Sequence, residues 1–117
     1  MKDTVLRDRT KQYALRVVRL FGRLPKSTDA QVIGRQLLRS GTSVAANFRE
    51  ATRSRSNAEM ISKLTIVEQE LDESMLWLEL LAEAKIVPAE LLTDILDETE
   101  QLLKMTIAAI KTLKSRR

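Results

Sequence analysis

Arginine carries most of the chemistry this chain has to offer, and it comes in rows. Between Gln31 and Arg55 the sequence reads QVIGRQLLRSGTSVAANFREATRSR. On a continuous helix, at about 100° per residue, Arg35, Arg39, Arg49 and Arg53 fall on one line and Leu37, Val44 and Phe48 on the opposite one. Arg55 falls in the turn that follows. Upstream, Arg9, Arg16, Arg19 and Arg23 share one side of another helix, within about 80°. A guanidinium donates two parallel hydrogen bonds from a planar fork, which matches the geometry of a phosphate. Arg16, Arg19, Arg23, Arg35, Arg39, Arg49, Arg53 and Arg55 are therefore candidate nucleic-acid contacts. The competing reading pairs these arginines with the acidic row Glu68, Asp72, Glu79 and Glu83, in a neighbouring helix or subunit.

Between the basic and apolar lines runs a row of small or amide-bearing polar groups: Gln36, Ser40, Ser43, Asn47 and Glu50. It reads as a helix or subunit seam, because small residues permit close packing and buried polar groups in such a seam can specify register. Trp77 is expected at an interface of the same kind. A catalytic groove is disfavoured: the chain has no histidine and no cysteine, so Ser40 and Ser43 lack a base. The same absence removes zinc sites built on His or Cys, disulfide frameworks and the Glu-x-x-His di-iron pattern. Glu70 with Glu73, and Glu79 with Glu83, share helix faces, but carboxylates at helical spacing read as solvated faces or ion-pair partners. No enzyme activity, metal or cofactor is expected.

Charge is segregated along the chain. Through Asn57 there are 13 Lys and Arg against 4 Asp and Glu, a net +9; from Ala58 to Thr112 there are 4 against 12, a net −8; the final LKSRR adds +3. Such asymmetry points to nucleic acid or to head-to-tail self-association. Tyr13, Phe21, Phe48 and Trp77 are the only aromatics, too few for base stacking to dominate. Binding to nucleic acid would then be backbone-driven, salt-sensitive and weakly selective. The opening MKDTVLRDRTK has no apolar core and does not read as a signal peptide, and no apolar run approaches the roughly 18 residues of a membrane span. A cytoplasmic location is expected.

Four helices must position these rows. The first is expected over about Asp3–Gly22, with Leu6, Tyr13, Val17, Leu20 and Leu24 on one face, and is closed by Leu24-Pro25. A second starts near Thr28, where Gln31 lies at capping-box spacing. Gly41 within it marks either a close approach of another backbone or a break. Ser56 and Glu59 form a second capping box and open a helix to about Ala84, with Met60, Leu64, Val67, Leu71, Met75 and Leu78 as its stripe. Ile66, Trp77 and Leu80 lie on another face, which calls for further partners. Pro88 suits the first position of a fourth helix to about Leu113, followed by a frayed 114–117. Short connections between long helices give an all-α, up-down-up-down antiparallel four-helix bundle spanning residues 1–117 as one domain.

The run QLLRSGTSVAANFREATRSRSNAEMISKLTIVEQELDES resembles a bacterial four-helix-bundle family named for proteins encoded by intervening sequences within 23S rRNA genes. Gln36, Arg39, Ser40, Ser43, Val44, Asn47 and Glu50 carry the match, supported by Leu24-Pro25 before it and Glu70 and Glu73 after it. Where the family usually has a glycine after the glutamate this chain has Ala51, so the second helix is expected to extend further toward Arg55. The resemblance implies a pentameric barrel. It also implies kinship with the accessory variability determinant of diversity-generating retroelements, a basic pentamer that binds nucleic acid and a reverse transcriptase. The resulting expectation is a non-catalytic homo-oligomeric accessory or scaffold protein that binds RNA or DNA, with a reverse transcriptase as a candidate partner. The alternative is a purely structural module whose basic and acidic halves pair between subunits.

Overall fold

The computed structural model describes residues 3–116; residues 1, 2 and 117 lie outside the described residues. Four long helices make up the fold: α1 (Asp3–Arg23), α2 (Thr28–Thr52), α3 (Asn57–Glu83) and α4 (Thr93–Ser115), with a short 3-10 turn, Ala89–Leu91, before the last. Among the described residues there is no strand. Consecutive helices pack as antiparallel neighbours, while α1 and α4 touch least of the adjacent pairs, so the bundle is closed on three sides and loose on the fourth. Its extents are 48 × 20 × 19 Å. The long dimension follows from α3, whose 27 residues rise about 40 Å. No described helix is long and apolar enough to cross a membrane.

The expected stripes form most of the core, with Leu20 and Met60 half-buried against it and Met75 half-buried outside it. Leu6, Tyr13 and Val17 of α1 and Leu24 just after it meet Leu37, Val44 and Phe48 of α2 and Leu64, Val67, Leu71 and Leu78 of α3. Two hydroxyl pairs are buried among them: Tyr13 Oη lies 2.7 Å from Thr99 Oγ1, and Ser40 Oγ lies 2.7 Å from Ser74 Oγ. Burial pushes the Tyr13 phenol above its ordinary value, because the charged form would be desolvated.

Helix α2 is continuous through Gly41, and the glycine marks a close approach. A Cβ at Gly41 would sit 2.8 and 2.9 Å from the two γ-methyls of Val17, and one at Gly34 would sit 2.5 Å from Leu24 Cδ1 and 3.0 Å from Phe21 Cδ1. Gly34 and Gly41 are seven residues apart, two turns of helix, so both present bare backbone to α1.

Several termini differ from the sequence reading. The N-cap of α2 is Ser27 and its side chain makes no capping bond; Gln31 Nε2 donates instead to the Pro25 carbonyl at 2.8 Å. The expected Thr28–Gln31 box is thus replaced by a bond that ties α2 to the preceding turn. Ser56 behaves as expected and accepts from the Glu59 N–H at 3.1 Å. Ala51 lies inside α2, which ends at Thr52 with Arg53 as its cap. Pro88 does not open α4 but caps the 3-10 turn, and α4 begins at Thr93 and runs to Ser115, past the expected fraying point.

The end of α3 explains the short detour before α4. Lys85 adopts φ 59°, the left-handed region, while the Ile86 N–H donates to Leu81 O and the Lys85 N–H to Ala82 O, both at 3.0 Å. This is the Schellman arrangement, normally built on glycine, and it turns the chain so that Val87 and Leu92 enter the core.

Three substitutions test these contacts in urea unfolding. Gly41→Ala loses about 2 kcal/mol, since β-branched Val17 has no room to yield. Gly22→Ala, whose Cβ would meet nothing within 4 Å, does not lose stability. Lys85→Gly gains about 1 kcal/mol by removing the left-handed penalty of a side chain.

Candidate nucleic-acid interface

The arginines divide by what surrounds them. Arg39 turns to α3: Nη2 lies 2.6 Å from Glu73 Oε1 and Nη1 lies 3.2 Å from Glu70 Oε2. Glu70 retains only 12% side-chain exposure, so the guanidinium satisfies a carboxylate largely withdrawn from water. That hydrogen bond also raises Arg39 above its ordinary value. Arg9 clasps α4 in the same way: its Nε donates to Glu98 Oε2 at 3.0 Å, and its Nη2 reaches both Glu98 and Gln101. The partners of these two residues are Glu70, Glu73 and Glu98, not the expected Glu68, Asp72, Glu79 and Glu83. The sequence rows predict which residues share a face, but only the packing of α2 on α3 decides which acid lies opposite.

The other candidates, Arg16, Arg19, Arg23, Arg35, Arg49, Arg53 and Arg55, form no ion pair among the described residues. Arg16 is half-buried and the others are exposed. They fall in four places. Arg35 stands by itself on the outer face of α2, and Arg55 lies in the turn after it. Arg16, Arg19 and Arg23 border a groove where α1 ends beside the α3–α4 connection. Arg49 and Arg53 line a polar cleft of about 450 Å³ together with Arg7 and Lys11 of α1, flanked by Thr4, Asp8 and Thr52.

This cleft gathers four cations that are unpaired among the described residues. It arises because α1 and α2 run antiparallel, so the first turns of α1 stand beside the last turns of α2. Four cations face one carboxylate, and none of the five forms an ion pair among the described residues. The sequence reading missed Arg7 and Lys11. Their i, i+4 spacing places them on one face of α1, a signal that becomes informative only once that face is known to meet α2.

The polar row proves to be only partly a seam within the bundle. Ser40 is buried against Ser74; Ser43 and Asn47 are half-buried, and Asn47 Nδ2 donates to the Ser43 carbonyl at 2.9 Å. Gln36 and Glu50 are exposed, and Glu50 Oε1 pairs with Lys63 Nζ at 2.8 Å. Trp77 is half-buried against the core, and its Nε1 is buried without a hydrogen-bond partner. No three His, Cys, Asp or Glu side chains among the described residues are placed to hold a metal.

A family model described as 23S rRNA-intervening sequence protein matches residues 2–108. Among solved structures, the chain is similar to a protein with unknown function from the S23 ribosomal protein family of Bacteroides thetaiotaomicron. The two are 38% identical, the match covers 95% of this chain and 99% of that one, and the TM-score is 0.88. No curated protein matches.

The division of the arginines gives a separable outcome. Arg39→Gln leaves Glu70 without its charge-assisted partner and lowers stability by about 1.5 kcal/mol in urea unfolding. Arg49→Gln with Arg53→Gln changes the urea midpoint little, because neither residue holds a partner within the chain.

Proposed function

Since this chain belongs to the 23S rRNA-intervening sequence protein family, we propose that it is a non-catalytic accessory protein that binds RNA or DNA through phosphate contacts in the α1–α2 cleft. The observation that carries this reading is the cluster of Arg7, Lys11, Arg49 and Arg53 in one open cleft. Charged groups of one sign are held close only at an electrostatic cost, and a polyanion relieves it. Guanidinium forks bind phosphate oxygens in pairs, while the lysine contributes a point charge. The cleft is lined by no aromatic ring, so recognition falls on the backbone and carries little sequence preference. Arg35 and Arg55, exposed at other points of the basic half, extend the positive field along the chain's path.

The proposal includes assembly. Resemblance to a basic pentameric relative favours a pentameric barrel, in which several copies of the cleft act together on one nucleic acid. It also favours a cytoplasmic role beside a nucleic-acid-handling partner such as a reverse transcriptase. The second reading, a structural module in which basic and acidic halves of neighbouring subunits pair, is supported by the acidic row of α3. Asp72, Glu79 and Glu83 are exposed, and neither they nor Glu68 form an ion pair among the described residues.

A salt titration of binding to structured RNA, duplex DNA and an RNA–DNA hybrid tests the first reading. Micromolar or tighter binding is expected at about 50 mM salt, falling steeply as salt rises. The combined change Lys11→Gln, Arg49→Gln and Arg53→Gln flattens the logarithmic salt slope for duplex DNA by about 3. Absence of binding by the unaltered chain at about 50 mM salt overturns the reading.

A further inference from the structure

The groove bordered by Arg16, Arg19 and Arg23 is of a different kind from the cleft. It encloses about 480 Å³ on the loose α1–α4 side, and beneath its arginine rim the floor is apolar, built by residues such as Leu20, Leu91 and Ile95. Leu91 is 70% exposed. Phosphate recognition has no use for an apolar floor, whereas an amphipathic helix with carboxylates on either side of a leucine fits both the rim and the floor.

Such a helix face exists in this chain. On α3, Asp72, Leu76 and Glu79 stand at i, i+4 and i+7, and Leu76 is 47% exposed between two carboxylates. On α1, Arg16, Leu20 and Arg23 stand at the same i, i+4 and i+7. Each triplet spans about 10.5 Å along its helix, with charge, leucine and charge in the same order. None of the four charged residues forms an ion pair among the described residues. In the bundle α1 and α3 lie diagonally, so the two triplets cannot meet within one chain.

We propose that the arginine-rimmed groove receives the Asp72–Leu76–Glu79 face of a second copy of the chain. The inference rests on the reading of the protein as self-assembling and specifies which surfaces meet. Leu76 seats beside Leu20 and Leu91, while Asp72 and Glu79 take Arg16 and Arg23, with Arg19 at the rim. The two patches differ, so the contact is heterologous: each copy uses its groove for one neighbour and its α3 face for the other. Arg16, Arg19 and Arg23 are thereby assigned to assembly, and the cleft cations to nucleic acid.

Light scattering on the purified full chain tests the pairing, with no nucleic acid present. Arg16→Glu with Arg23→Glu, and separately Asp72→Arg with Glu79→Arg, are expected to weaken assembly at least about tenfold in dissociation constant. A chain carrying all four changes restores the original mass, because the pairing is exchanged and not lost. Where a reversal lowers helical circular dichroism, the milder Asp72→Asn with Glu79→Gln is read in its place. An unaltered chain that is monomeric at tens of micromolar overturns the proposal, as does unchanged mass in both reversals. Loss in both without recovery in the four-fold variant overturns it too. The Lys11, Arg49 and Arg53 variant retains its mass, so a failure of nucleic-acid binding is read apart from a failure of assembly.

Discussion

Everything at the surface of this bundle depends on how closely α1 lies against α2. Val17 rests on Gly41, and Leu24 and Phe21 rest on Gly34, at distances that leave no room for a Cβ. Two bare turns of backbone thus fix the separation and axial register of the first two helices. Register matters because those helices carry most of the arginines. With it set, the first turns of α1 stand beside the last turns of α2, and Arg7 and Lys11 join Arg49 and Arg53. A bulkier residue at either glycine would push the helices apart and dilute the charge density of the cleft.

A second theme is the division of labour among cations of one type. Arg9 and Arg39 are turned toward carboxylates of α4 and α3 and act as clasps between helices. Exposed arginines outnumber them elsewhere on α1 and α2, where none forms an ion pair among the described residues. Arginine suits both duties because its charge is permanent and its fork is rigid. Which duty a given arginine performs is decided by the acid opposite, and hence by helix packing more than by the residue itself.

Much of the fold was legible in the sequence. The apolar stripes, the helix count and the Ser56 cap follow from periodicity and local hydrogen bonding, which depend on residues only a few positions apart. The continuity of α2 was left open because Gly41 satisfies two opposite readings until Val17 is seen against it. The start of α4 was misread because Pro88 favours a first helical turn but also suits a 3-10 cap, and the left-handed Lys85 upstream gives no sign in its residue type. The candidate site was legible as a set of arginines and not as a place. Arg7 and Lys11 escaped notice because their importance comes from residues about forty positions away, and Glu70 and Glu73 could not be told from their acidic neighbours on α3 without the α2–α3 register.

The loose α1–α4 side has a bearing on how the chain reaches this state. Among the described residues the bonds that close it are few: Tyr13 to Thr99, and Arg9 to Glu98, Gln101 and Met105, with sequence separations of 86 to 96 residues. The contacts of α1 with α2, α2 with α3 and α3 with α4 join neighbours along the chain and carry small loop-closure costs. Closing the last side carries the largest cost for the smallest packing gain, so loop-closure entropy favours a path that zips three hairpins in series and seals the first helix to the fourth at the end. The same edge is where native-state fluctuations open the bundle first, with α2 and α3 as the protected spine and the amides of α1 and α4 exchanging through sub-global opening.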